Sequence, residues 1–141
     1  MTNNRFRFRA WDKSFQKYCE NVIVSTINGE ITVYERLVNG NTVLIPSAHV
    51  VLEQCTGLKD ENGKLIYEGD IVRVFYDHFN GTFTEKEVVG PVKWECGTWI
   101  VNNSLLNHSP EYDETHLESA AVEVIGNVHE NPELLEENNG K

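Results

Sequence analysis

"TGLKDENGKLIYEGDIVRV", residues 56–74, sets two tight turns between three runs of strand-forming residues. Asp60-Glu61-Asn62-Gly63 offers a turn in which Gly63 supplies the left-handed backbone that a side chain makes costly. "KLIYEGD" returns as a strand that ends at Gly69-Asp70, and Gly57 opens the stretch as a further turn position. "IVRVFY" starts the next strand, with Ile71, Arg73 and Phe75 alternating against Val72, Val74 and Tyr76. Strand, turn, strand, turn, strand is the rhythm of a meander closing into a small barrel.

Upstream, "VIVSTINGEITVYERL" puts Asn28-Gly29 between two β-rich runs, and Asn-Gly accepts the positive φ angles of a type I′ turn. This predicts a β-hairpin over roughly 22–37. "NGNT" at 39–42 is another turn, and "VLIPSAHVVLEQC" reads as two short strands because Pro46 interrupts any helix. Near the start, "RFRFRAW" alternates strictly. Phe6, Phe8 and Ala10 fall on one side, and Arg5, Arg7, Arg9 and Trp11 on the other, predicting one buried and one cationic face.

Downstream, "DHFNGTFTEKE" is a polar loop, and "VVGPVKWE" and "TWIVN" form a strand pair across Cys96-Gly97, carrying Trp94 and Trp99. "AAVEVIGNV" is a last strand. "ENPELLEENN" starts a short helix, with Asn131 as cap, Pro132 at the first position and acids in the first turn. The expected fold is mainly β: an N-terminal β-hairpin region over 1–45 and a β-barrel domain with an acidic tail over 46–141, the two sharing one core or standing apart.

The 141 residues, 40% hydrophobic and 24% charged, suffice for a packed core without metal or disulfide support. The first residues lack the apolar run of a signal peptide, and no stretch matches a membrane helix, so a soluble cytoplasmic protein is expected. Cys19, Cys55 and Cys96 are odd in number and lack CxxC spacing, so they read as reduced thiols. The net charge of −10 is uneven. Residues 1–20 set five bases against two acids, and residues 111–141 set nine acids against Lys141. The two ends are complementary, within a chain or between copies.

Three segments, "FRFRAWD", "TGLKDENGKLIYEGDIV" and "EVIGNVHENPELL", occur in this order and span nearly the whole chain. Together they resemble the YopX-like family of small proteins encoded by bacteriophages and prophages. The resemblance implies a phage or prophage origin, a bacterial cytoplasm and a small β-barrel of the SH3-like kind. It implies no activity, and it assigns Gly57, Gly69 and Asp70 structural duty alone.

Gly57, Gly63, Gly69 and Asp70 fit neither of the glycine-rich phosphate-binding spacings, so turn geometry is the better reading. "HSPEYDETH" gathers His108, Glu111, Asp113, Glu114 and His116, but two histidines eight apart in a loop match no familiar ligand spacing. Cys55 and Cys96 carry no local catalytic signature. No enzyme, metal or cofactor is therefore expected. Arg5, Arg7, Arg9 and Trp11, with Phe15 and Tyr18 nearby, have the ingredients of a nucleic-acid surface, but the acidic chain, with an isoelectric point near 4.9, argues against one. The leading expectation is a non-enzymatic interaction module that self-associates and binds a host or phage protein. Nucleic-acid binding through the arginine strand is the alternative.

Overall fold

The computed structural model describes residues 6–76, 86–95, 98–101 and 121–139. The fold is mainly β and divides into two compact units between Cys55 and Thr56. The sequence suggests a boundary at 45/46. It lies later because Ile45, Val50 and Leu52 all pack into the core of the first unit.

The first unit contains β1 (Phe8–Asp12), β2 (Lys17–Tyr18), β3 (Val22–Ile27), β4 (Glu30–Arg36), β5 (Thr42–Ile45), a 3-10 turn (Ser47–His49) and the start of β6 (Val50–Lys59). Between β3 and β4, Asn28 and Gly29 have φ of 53° and 81°, the left-handed pair a two-residue hairpin requires. Pro46 ends β5, as expected. β1 runs antiparallel to both β2 and β6, while β3, β4 and β5 form a three-stranded antiparallel sheet. Its core is small: Ala10, Cys19, Val33 and Ile45, edged by Val22, Val50 and Leu52.

The alternation of "RFRFRAW" is only half realised. Phe6 is 72% exposed, whereas Trp11, assigned by parity to the cationic side, is 4% exposed. The reason is that both faces of β1 are covered: Ala10 packs in the core with Val33 and Ile45, and on the opposite face the Tyr18 ring meets Trp11. Asp12 Oδ1 accepts the N–H groups of Ser14 at 2.8 Å and Phe15 at 3.2 Å, closing the turn into β2.

The second unit holds the rest of β6, then β7 (Leu65–Tyr67), β8 (Asp70–Tyr76), β9 (Lys86–Glu95), β10 (Thr98–Val101), β11 (Ala121–Asn127) and α1 (Glu133–Asn139). An antiparallel sheet in the order β10-β9-β8-β11 curls into a half-barrel. Ile66, Val72, Val74, Val88, Val92, Val101 and Val122 fill it, each contributing about 1.5–3 kcal/mol over an exposed position. Trp99 packs against this core and meets Trp94 edge-on, ring centroids 4.9 Å apart.

Buried polar groups fix the turns of this unit. Asp60 Oδ1 accepts the N–H groups of Asn62 and Lys64, both at 2.9 Å, and Oδ2 accepts that of Val124 at 3.0 Å. Val124 borders a bulge in β11, so Asp60 supplies the acceptor that a regular ladder provides elsewhere. Burial alone raises the Asp60 pKa, but these three N–H groups and the nearby Lys64 charge outweigh it, holding the carboxyl below its ordinary range. Asp70 Oδ2 accepts the Tyr67 N–H at 2.8 Å. Gly57, expected in a turn, instead lies within β6 at φ 84°, a backbone that a residue without a Cβ adopts freely.

The expected C-terminal helix is present, but the Asn131 side chain turns back to the strand, where its Oδ1 accepts the Asn127 N–H at 3.2 Å. Gly126 makes this approach possible, since a Cβ there would sit 2.6 Å from Asn131 Oδ1. Among the described residues, no helix is long and apolar enough to cross a membrane.

Candidate functional site

Of the arginine strand, Arg5 lies outside the described residues and Arg7 is exposed. Arg9 is held from two sides. Its Nε donates to Glu53 Oε1 at 2.8 Å, and its guanidinium lies 4.6 Å from the centre of the Tyr18 ring. The Tyr18 hydroxyl donates to the same Glu53 oxygen at 2.9 Å, and the Trp11 ring meets Tyr18 edge-on at 5.0 Å. Glu53 is buried, so the cluster is a desolvated, mutually satisfied set that locks β1, β2 and β6 together. Its aromatic rings and its Arg9 charge are already engaged within the chain.

The turn residues are likewise committed to structure. The Gly63 N–H donates to Asp60 O at 3.0 Å and the Gly69 N–H to Val92 O at 3.0 Å, so neither faces outward as part of an anion cradle. Gly69 O accepts the Val128 N–H at 2.9 Å, tying the β7–β8 turn to the end of β11. Cys19 and Cys55 are buried outside any disulfide. Burial, then the charges of Glu35 and Asp12, push the Cys19 thiol up to about 11. Cys96, His108, Glu111, Asp113, Glu114 and His116 lie outside the described residues. Among the described residues, no three His, Cys, Asp or Glu side chains gather as a metal site would require.

The surface that stands out is the β3-β4-β5 sheet. Register puts Val22, Val24, Val33 and Ile45 on the face toward the core, and Ile23, Tyr34 and Leu44 in one cross-strand row on the other face. That outer face is mixed: Ile27, 67% exposed, and Leu44, 55% exposed, stand among Ser25, Glu30, Thr32, Arg36 and Thr42. Two openings flank the sheet. A cleft of about 520 Å³ is bordered by Lys17, Glu20, Glu35, Arg36 and Leu37, where Glu35 Oε2 accepts the Glu20 N–H at 2.8 Å. A groove of about 380 Å³ sets Ile31, Leu44 and Leu52 beside the polar Glu30, Thr32 and Ser47. The arrangement offers apolar contact and main-chain edges, the chemistry of protein recognition. Sequence reasoning did not single out Ile23, Ile27, Tyr34 and Leu44, although a signal existed. Val22-Ile23-Val24 are consecutive apolar residues, and in a strand consecutive residues occupy opposite faces, so both faces had to be apolar.

The family model described as YopX protein matches residues 7–136. The chain belongs to the YopX family. The SPbeta prophage-derived protein YopX of Bacillus subtilis (strain 168) is 32% identical over 135 residues, covering 92% of this chain and 95% of that protein. The crystal structure of protein EF1440 from Enterococcus faecalis superposes with a TM-score of 0.55 at 29% identity, covering 92% of this chain and 96% of that one. The YopX match spans both units, including β3, β4 and β5.

Proposed function

We propose that this YopX-family chain is a non-enzymatic interaction module, a phage or prophage accessory protein of the bacterial cytoplasm that self-associates and engages a host or phage protein through its first unit. One observation carries the reading: the β3-β4-β5 sheet sets the apolar row Ile23, Tyr34 and Leu44, with Ile27 beside it, on the face away from its own core. Full burial of an apolar side chain is worth about 1.5–3 kcal/mol, and an interface recovers the part of it that these partly exposed side chains forfeit.

Sedimentation of the purified chain over a range of concentrations tests self-association. The expected result is a concentration-dependent species larger than the monomer. A monomer at every concentration overturns it. The same protein titrated into labelled single-stranded DNA at low salt should give no binding that depends on Arg7 or Arg9, because Arg9 is paired with Glu53 and Trp11 is buried.

A further inference from the structure

The inference rests on the self-association proposed above and names its contact. We propose that two copies pair antiparallel along β5, Val43 lying against Val43 of the second copy on a two-fold axis, so that two three-stranded sheets join into one of six.

The hydrogen-bond alternation of the sheet points to this edge. The Leu37 N–H donates to Asn41 O at 2.8 Å, in the same register as the β4–β5 pairs Glu35↔Val43 and Val33↔Ile45. In an antiparallel ladder every second pair exchanges its hydrogen bonds, so Val43 and Ile45 turn their main-chain groups toward β4. Thr42 and Leu44 then turn theirs away from it, and neither has a hydrogen-bond partner on that side among the described residues. A second β5 in antiparallel register places Thr42 opposite Leu44 of the other copy, and Leu44 opposite Thr42, so both residues exchange bonds reciprocally.

The chemistry of β5 favours a copy of itself as occupant. Thr-Val-Leu-Ile holds no charge and no proline, so two of the devices by which exposed edges resist pairing are missing along it. Each chain carries a net charge of −10, and an uncharged strand lets two such chains meet without setting like charges opposite one another. The strand is also short. Pro46 at one end and the Asn39-Gly40-Asn41 turn at the other limit the edge to the length that a second β5 matches. On the outer face the row Ile23, Tyr34 and Leu44 continues onto Thr42 and Arg36 of the other copy. On the inner face Val43, exposed in the single chain, is covered.

The test combines a cross-link with sedimentation. In a non-hydrogen-bonded antiparallel pair the facing Cα atoms are about 4.5 Å apart, within the range a disulfide spans. Val43→Cys should therefore form a covalent dimer under a mild oxidant, whereas Ile27→Cys, at the far hairpin, and the wild-type chain should not. Leu44→Lys should weaken association by about tenfold or more, and 1 M salt should leave wild-type association intact. If wild type sediments as a monomer throughout, the proposed self-association fails and this inference with it. If wild type associates but Val43→Cys does not cross-link, Leu44→Lys has no effect, or salt dissolves the complex, β5 pairing is overturned while self-association stands.

Discussion

The two units spend their apolar residues differently. The second unit buries Ile66 and six valines in one cluster and satisfies its turns with buried carboxylates such as Asp60 and Asp70. The first unit buries only Ala10, Cys19, Val33 and Ile45 as its cluster, yet leaves Ile23, Ile27, Ile31, Val43 and Leu44 in water. Among the described residues of the second unit, packing in that cluster takes up most of the large apolar side chains, Trp94 excepted. In the first unit, folding of the single chain leaves several apolar side chains in water, and the interaction proposed above would cover them.

The largest expected effect lies in the second unit. Asp60→Ala removes the acceptor of three N–H groups, one on half-buried Val124 and two on exposed Asn62 and Lys64 that water can reach, and should cost about 2–4 kcal/mol. Denaturant unfolding followed by Trp94 and Trp99 in a Trp11→Phe background measures it. The pH dependence has a fixed sign. The folded carboxyl titrates below the unfolded one, so its stabilisation is complete above an unfolded value near about 3.9 and is lost as pH falls through the folded value. In Asp60→Asn this acid loss should be smaller than in wild type.

A matched pair of truncations breaks or keeps the contrast between the units. Ile66→Ala should cost about 2–4 kcal/mol, because it opens a cavity in a filled core. Ile27→Ala should cost under about 0.5 kcal/mol in the monomer, because its side chain is already in water. Equal costs would show that the outer face of the β3-β4-β5 sheet is as sealed as the half-barrel.

Gly126→Ala is a finer probe. The added Cβ displaces the Asn131 side chain from the Asn127 N–H and should cost about 1–2 kcal/mol, with α1 losing helicity before the half-barrel melts. The smallest expected signal is chemical. With its thiol near 11, Cys19 should resist alkylation at neutral pH and react only once the first unit is unfolded. Peptide mapping after iodoacetamide, with and without denaturant, reads this directly.

What the sequence determined on its own is whatever neighbouring residues decide among themselves. Asn28-Gly29 makes a hairpin because two adjacent residues with positive φ close it, and Pro46 bars a helix after Val43 because proline lacks the N–H and its ring clashes with the preceding turn. The β7–β8 turn, the alternation of β8 and the presence of α1 were legible for the same reason, and the three spaced motifs carried the family. What only the tertiary structure decided depends on partners far along the chain. Arg9 and Trp11 read as a cationic, stacking face until Glu53, 44 residues from Arg9, and Tyr18 closed over them. Asp60 read as a turn residue until its second oxygen met Val124, 64 residues away. The outer row of β3, β4 and β5 could not be separated from core by composition, because the hydrophobic effect rewards burial without specifying against what. Which apolar face finds cover within the chain is settled only when the strands pack.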